Sequence, residues 1–318
     1  MDPNAPANPL PSTDTVLVVG NPYSGRGANR QRVDRLASAL EAHGLAVRTA
    51  WDPAERKQLL TDPHLAAWCR CIVSAGGDGS LADVVNDLAN GHSHDAFAMP
   101  DVPLATLPAG NENLFARQFQ FTADPQRLAA AIARGDTCRV DLGVVGSRLF
   151  TLMASAGFDA DVVHRMARWR AAGPVANALR RVNRLSYAGR ILHSAHAYAY
   201  PSITLEVDGQ RVTGSHAFVF NIPQYGGNLG ICRQACCDDA MLDWVLFQRP
   251  GLRSLATYGL AVVRKRHLDR PDVIHGQARA LRIVSDDGPV PLQADGDPAG
   301  WTPSAIDIRP AALRVICA

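Results

Sequence analysis

Three glycine-rich stretches of the sequence each follow a short apolar run, and they contain the residue types best suited to chemistry. They are NPYSGRG at 21–27, GGDGS at 76–80 and LPAGNEN at 107–113. Glycine lets the backbone approach a ligand closely and direct successive N–H groups at it. A helix that begins after such a loop adds a partial positive charge. The three stretches therefore predict a cradle for phosphate groups.

Asp78 lies between the glycines of the second stretch. A carboxylate in direct contact with phosphate would be repelled, whereas one that holds Mg²⁺ or a water beside the phosphates would offset the charge of the ion. A single glycine-rich turn after a strand is usually only a turn, but three on one edge of a sheet are much less often a coincidence. We therefore interpret Asp78 as a magnesium ligand.

The segments around these stretches alternate in type along the first part of the chain. Apolar runs typical of buried strands and helical spacings of apolar residues follow one another at 15–20, 28–44, 45–50, 54–68, 71–75, 81–91 and 102–107. This alternation predicts an N-terminal α/β domain with a parallel sheet. Ligands of such sheets bind beyond the carboxyl ends of the strands, where the three stretches should meet.

The pattern changes near residue 138, after which short strands and tight turns predominate. Segments typical of strands are RVDLGVV, LFTLMASAGF, ITLEVDGQRVTGSHAFVFNI, MLDWVLF, ALRIVS and VPLQADG. The Asp-Gly pair at 208–209 favours a hairpin. A helical insertion is predicted over about 160–195, and a further helix over 252–267. The sequence therefore predicts a second domain at 138–299 that is a mainly antiparallel β-sandwich.

Composition narrows the class of protein. The chain has 318 residues, of which 47% are apolar and 19% charged, as is typical of globular proteins. Its net charge of +2 gives no reason to expect a nucleic-acid partner. Residues 1–14 have the composition of a disordered tail and lack the features of a secretion signal. Seven cysteines at no regular spacing favour a reduced, cytoplasmic setting.

Six motifs resemble one known family. NPYSG, GGDGS with its following helix, and LPAGNENLFAR resemble the three signatures of the diacylglycerol kinase catalytic-domain family, which includes bacterial lipid kinases and sphingosine and ceramide kinases. SAGFDADVV at 155–163, NIPQYGGNLG at 221–230 and LQADGD at 292–297 resemble later family segments in the same order. NAD kinases share GGDG alone, but its combination with LPAGNENLFAR is more specific.

The resemblance implies an ATP- and Mg²⁺-dependent kinase of phospholipid metabolism that phosphorylates a lipid hydroxyl, with its nucleotide between the domains. It also implies that the segment at about 300–318 returns to the first domain, at 15–137. Asp78, Asp295 and Asp297 would be catalytic, and Asp297 would take the proton of the hydroxyl. The residues implied in nucleotide binding are Asn21, Ser24, Gly25, Gly76, Gly77, Gly79, Ser80, Gly110, Asn111 and Asn113.

Several positions depart from the family pattern. Ser80 and Asn111 stand where threonine is usual, and Asp83 and Asp297 stand where glutamate is usual. A proton-transfer group must lie within about 2.6–3.2 Å of its target or act through a water. The shorter Asp297 is therefore expected to act through a water or on a deeper acceptor. Asp239 matches an acid that could hold a structural metal, although the glycine that follows it in the family is absent.

The predicted insertion is basic and free of acids. Residues 162–205 contain no Asp or Glu and include Trp169, several leucines and seven arginines, at Arg165, Arg168, Arg170, Arg180, Arg181, Arg184 and Arg190. A basic, partly apolar helix pair is typical of a membrane-surface contact. The alternative is that these arginines pair with acids elsewhere in the protein. We predict peripheral binding at the inner membrane surface, and a homodimer is compatible with the sequence.

Two other functions remain open. The departures at Asp83, Asn111 and Asp297 are compatible with a non-catalytic nucleotide- or lipid-binding protein on the same fold. A kinase of a soluble acceptor such as NAD is the other alternative. The lipid itself is not specified, because residues that would shape an acyl pocket are generic Leu, Val, Ala and Phe.

Overall fold

The computed structural model describes residues 13–22, 24, 28–91, 98–171, 198–226 and 229–318. Contacts divide the chain into two compact units, one of residues 1–142 with 310–318 and one of residues 143–309. The strands β5 (Thr137–Val145) and β16 (Ser304–Ile316) each pass from one unit into the other. Among the helices of the described ranges, none combines the length and the hydropathy that crossing a bilayer would require.

The first unit is built on parallel strands. β1 (Thr15–Gly20), β2 (Ala46–Ala50), β3 (Cys69–Gly76) and β4 (Leu104–Pro108) pair in the order β2-β1-β3-β4. The last part of β16 joins β4 in parallel, with Val315 opposite Leu104. β1, β3 and β4 are buried along almost their whole length, as is typical of parallel strands covered by helices on both faces. The predicted α/β domain is therefore confirmed.

Within the described residues of this unit, six helices connect or flank these strands. They are α1 (Asn29–Glu41), α2 (Pro53–Leu60), α3 (Leu65–Trp68), α4 (Asp78–Gly91), α5 (Leu114–Gln118) and α6 (Pro125–Arg134). The single helix predicted over 54–68 is wrong, because Pro63 disfavours helical backbone at the residue before it. The carboxylate of Asp62 instead accepts hydrogen bonds from the His64 N–H and the Trp68 indole, both at 2.9 Å.

The second unit is a sandwich of antiparallel strands. Its other strands are β6 (Arg148–Phe150), β7 (Met153–Gly157), β8 (Ile203–Val207), β9 (Gln210–Gly214), β10 (His216–Phe220), β11 (Leu242–Phe247), β12 (Val273–Ala278), β13 (Ala280–Val284), β14 (Pro291–Ala294) and β15 (Asp297–Trp301). One sheet has the order β12-β11-β10-β7-β14-β15, and the strands of the other follow in the order β16-β13-β8-β9. Side chains of both sheets, among them Val219, Leu292, Ile283 and Ile306, form one core. The predicted antiparallel sandwich is confirmed.

Local details of this unit differ from the sequence pattern. The hairpin predicted at 208–209 is present, and Asp208 and Gly209 both have positive φ, at 49° and 75°. The strand predicted over 149–158 is divided at Thr151 and Leu152, whose N–H groups bond to a side chain rather than to a neighbouring strand. Among the described residues of this unit, the helices are α7 (Phe158–Ala171) and α8 (Leu252–Val263). Most of the predicted insertion, residues 172–195, lies outside the described residues.

Candidate functional site

The loop after β1 is tied to the end of β3 and the start of α4. The Asn21 side-chain amide donates to the Ser80 hydroxyl at 3.1 Å, and the Asn21 N–H donates to the Ala75 carbonyl at 3.1 Å. The fully buried Asn29 donates to the carbonyls of Asn21 and Ala75, at 2.8 Å each. These bonds hold the first two predicted loops together.

Asn29 was not predicted as part of the site. An asparagine in the first turn of a helix is typical of a local cap, so no feature of the sequence indicates its long-range contacts. Of the remaining predicted residues of this loop, Ser24 donates its N–H to the Asn21 carbonyl at 3.1 Å. Gly25 lies outside the described residues.

The second and third loops touch backbone to backbone. A Cβ added at Gly110 would lie 2.6 Å from the Gly77 Cα, a separation that real Cβ atoms essentially never show. The Gly110 N–H donates to the Asn113 Oδ1, and the Asn113 amide donates to the Gly110 carbonyl, both at 2.9 Å. Only glycine permits this approach at position 110, and a Cβ at Gly77 would lie 3.0 Å from the Gly110 Cα, which is also a tight contact.

Asp78 bridges the same two loops through its carboxylate. Oδ2 accepts from the Leu114 N–H at 3.0 Å and Oδ1 from the Phe115 N–H at 3.1 Å, so Asp78 caps the start of α5. Burial raises the pKa of Asp78, these hydrogen bonds oppose the rise, and the charge of Glu112 adds to it. An ionised carboxylate has about four acceptor sites, so the bonds from Leu114 and Phe115 do not exhaust its capacity to hold a cation or a water.

The first turn of α4 has an open position. The helix begins at Asp78 rather than at the predicted residue 81, so Asp78, Gly79 and Ser80 lie in its first turn. A Cβ at Gly79 would meet no protein atom within 4 Å, whereas one at Gly76 would collide with the Ser80 side chain. The absence of a side chain at Gly76 therefore makes room for the Ser80 side chain. At Gly79 it leaves the backbone accessible to a ligand. Asn111 is exposed on the third loop.

The donor sets at the two predicted metal positions differ. Among the described residues, no three or more His, Cys, Asp or Glu side chains are arranged to hold a metal. Mg²⁺ needs only one or two carboxylates when substrate phosphates and waters complete its shell, so Asp78 fits such an ion. Asp239 is exposed and accepts from the Met241 N–H at 3.0 Å. A structural metal there would need further ligands, and the described residues do not supply them.

Asp295 has no acceptor site left for a substrate. Its Oδ2 accepts from the N–H and the hydroxyl of Thr151, at 2.7 and 2.9 Å, and its Oδ1 accepts from the N–H groups of Leu152 and Met153, at 2.9 and 3.0 Å. Burial raises the pKa of Asp295, and these hydrogen bonds oppose the rise. The expected direct catalytic role of Asp295 does not fit this geometry, which makes it a positioning residue for the turn before β15.

Asp297 is held on one side only. The Arg148 guanidinium contacts its Oδ2 at 2.7 Å, and within the described ranges its Oδ1 has no hydrogen-bond partner. The Asp297 side chain is 32% exposed, so a ligand can reach it. Arg148 was not predicted, since it lies 149 residues away in sequence.

Three of the motifs that resemble the family meet around Asp159. Its Oδ2 accepts from the Ser155 hydroxyl at 2.6 Å and from the Gln293 amide at 3.1 Å, and its Oδ1 accepts from the Tyr225 hydroxyl at 2.6 Å. Gln293 also accepts from the Gly296 N–H at 2.9 Å. These bonds join segments 155–163, 221–230 and 292–297, and so support the turn that carries Asp297.

Comparisons with known proteins identify relatives along almost the whole chain. The chain is 28% identical over 308 residues to a probable lipid kinase YegS-like protein of Pseudomonas aeruginosa, covering 95% of this chain and 94% of that protein. It is 26% identical over 311 residues to a diacylglycerol kinase of Mycobacterium tuberculosis, with 95% and 94% coverage.

Solved structures agree with the fold. One from Bacillus anthracis matches with a TM-score of 0.74 at 19% identity, covering 99% of this chain and 98% of that one. Residues 15–145 match the family model of the diacylglycerol kinase catalytic domain, and residues 153–317 match that of the YegS C-terminal NAD kinase beta sandwich-like domain. The chain therefore belongs to the diacylglycerol kinase catalytic-domain family, with the C-terminal domain found in YegS.

Proposed function

We propose that the chain is an ATP-dependent lipid kinase that transfers the γ-phosphate of ATP to a hydroxyl of a diacylglycerol- or sphingosine-like lipid. The observation that carries this proposal is the junction of three loops in the first unit. Asn21 contacts Ser80, Gly77 contacts Gly110, and Asp78 spans from the second loop to the third. Family membership and the names of the relatives support the lipid kinase class.

In this proposal the phosphates of ATP bind at the first turn of α4 and the loops around it. Free N–H groups and the dipole at a helix N-terminus favour an anion there. The nucleotide-binding residues remain Asn21, Ser24, Gly25, Gly76, Gly77, Gly79, Ser80, Gly110, Asn111 and Asn113. Bound Mg²⁺ would neutralise phosphate charge, and Asp78 would hold it through the acceptor sites that Leu114 and Phe115 leave unused.

Asp297 is the proposed proton acceptor. Phosphoryl transfer requires positioning and charge stabilisation more than covalent help, so the remaining task of the protein is to orient the lipid hydroxyl and receive its proton. Oδ1 of Asp297 would do this directly or through a water, while Arg148 fixes Oδ2. Asp295 would keep the turn in place through its bonds to Thr151, Leu152 and Met153.

We also propose a cytoplasmic enzyme that binds the inner membrane surface, where its lipid acceptor lies. Of the arginines that led to this prediction, Arg165 pairs with Asp161 at 2.5 Å, so the alternative of internal pairing holds for that residue. Arg180, Arg181, Arg184 and Arg190 lie outside the described residues. The proposal that this segment binds the membrane therefore still depends on its acid-free sequence.

The test is a radiolabelled ATP assay against extracted lipids, followed by identification of the labelled product. Label in a lipid, lost in the Asp297→Ala variant, is the expected result. Label in NAD but in no lipid would indicate a kinase of a soluble acceptor. ATP binding without transfer to any acceptor would indicate a non-catalytic protein on this fold.

A further inference from the structure

Helix α8 exposes large apolar side chains on one face. Leu252, Leu260 and Val263 are 37%, 50% and 64% exposed, and the described residues include only one other large hydrophobic residue as exposed, Trp301. An α-helix turns by about 100° per residue, so these three positions lie within roughly 80° of one another around its axis. They therefore form a single apolar stripe.

A different face of α8 anchors the helix to the rest of the second unit. Tyr258 and Val262 are buried, and Leu255 packs against the cluster formed around Phe158 and Val162 of α7. The Tyr258 hydroxyl also accepts from the Arg249 N–H at 3.0 Å. Since the buried face already supplies the core contacts, the exposed stripe has no packing role among the described residues.

The helix and the three residues that follow it are strongly basic at their surface. Arg253, Arg264, Lys265 and Arg266 are exposed, and no acid occurs between residues 244 and 268. None of the ion pairs among the described residues includes any of these four side chains. Solvated protein surfaces ordinarily mix charges of both signs. Uncompensated positive charge beside an apolar stripe is the complement of an anionic lipid surface.

We propose that α8 docks the protein onto an anionic bilayer, with Leu252, Leu260 and Val263 between the headgroups and the segment 264–266 against lipid phosphates. The role of this docking rests on the proposed function, because a lipid acceptor stays in the membrane. The binding to the membrane itself requires no catalysis. Two copies joined by this face would oppose their like charges across a two-fold axis. In sequence, this element is distinct from the acid-free residues 162–205.

Two variants test the two components of the surface. Leu260→Ser with Val263→Ser removes apolar contact, and Arg264→Gln with Lys265→Gln and Arg266→Gln removes charge. The matched control, Arg35→Gln with Arg127→Gln and Arg279→Gln, removes the same charge from exposed positions elsewhere. The assay is co-sedimentation with phosphatidylcholine vesicles that contain or lack phosphatidylglycerol, at low and high salt.

We expect the wild type to bind only the anionic vesicles and to be released by salt. The triple variant of 264–266 should bind on the order of 100-fold more weakly, and the apolar variant about tenfold more weakly. The control should bind within about twofold of the wild type. Equal binding by all four proteins, or no binding by the wild type, would overturn the docking proposal.

Activity on detergent-dispersed diacylglycerol separates this proposal from the proposed function. Variants of α8 should retain that activity, because none of their residues lies in the loops that would bind ATP or in the turn of Asp297. A wild type that phosphorylates no lipid but binds anionic vesicles through α8 would refute the kinase and leave the docking intact. Conversion of a dimer to a monomer by Leu260→Ser with Val263→Ser, with vesicle binding unchanged, would show an interface between copies and refute the docking.

Discussion

Replacing Gly79 by alanine should stabilise the protein while weakening its use of ATP. Gly79 is the second residue of α4, and its added methyl group would meet no protein atom within 4 Å. Alanine is favoured over glycine in a helix interior by about 0.8–1 kcal/mol, and by less in the first turn, so we expect a gain of about 0.5 kcal/mol. About 1 kcal/mol shifts the melting temperature of a domain of 150–250 residues by about 2–4 °C. The melting temperature of the Gly79→Ala variant should therefore rise by about 1–2 °C.

The same methyl group would stand where the proposed site brings a phosphate against the backbone. A displacement of about 1 Å in such a site can reduce the rate 100-fold, so kcat/KM for ATP should fall between about tenfold and 100-fold. The measurements are thermal unfolding and initial rates over a range of ATP concentrations with dispersed lipid.

Gly259→Ala is the matched control. Gly259 is also helical, in α8, and a Cβ there would likewise meet nothing within 4 Å. It should stabilise the protein by up to about 1 kcal/mol and leave kcat/KM for ATP unchanged. If Gly79→Ala is stabilising and keeps the wild-type kcat/KM for ATP, no phosphate approaches the first turn of α4, and the assignment of GGDGS to nucleotide binding is wrong.

Three further changes test single residues. Asp297→Ala should lower kcat by about 10²–10⁴-fold with little change in ATP binding, and an equal loss in both would indicate a structural role. Asp78→Asn should abolish magnesium-dependent turnover and, because it weakens the bonds to the Leu114 and Phe115 N–H groups, lower the unfolding free energy by about 1–3 kcal/mol in urea titrations. Burial lowers the pKa of His216 from 6.5 to about 4, so His216 takes up a proton on unfolding between these values. The free energy of unfolding should keep its full value above about pH 6.5 and fall by about 2 kcal/mol by pH 5. A His216→Gln variant whose free energy of unfolding falls by the same amount between pH 7.5 and pH 5 would contradict this.

Local signals in the sequence were sufficient for much of the fold. Continuous apolar runs identified β1, β3 and β4, and the Asp208–Gly209 pair identified its hairpin, because these depend on neighbouring residues. The prediction of one helix over 54–68 was wrong because it overlooked another local signal, the helix break at Asp62 and Pro63.

The parts of the candidate site that escaped prediction depend on distant contacts. Asn29 bonds to a carbonyl 46 residues away, and Arg148 to a carboxylate 149 residues away. The family resemblance implies a catalytic role for Asp295, but its hydrogen-bond donors come from Thr151 to Met153, 142–144 residues earlier. No periodicity or spacing indicates which of two neighbouring acids will be saturated by backbone N–H groups.

The pairing of β16 with β4 sets an order on folding during synthesis. Val315 completes the sheet beside Leu104, yet it leaves the ribosome about 210 residues later, which takes roughly 10–40 s at common rates of translation. Throughout that time β4 presents an unpaired edge of the kind that recruits other chains. The first unit is therefore the first to be translated but cannot complete its sheet until the second unit has been made, and a nascent chain stalled between the two would be prone to aggregation.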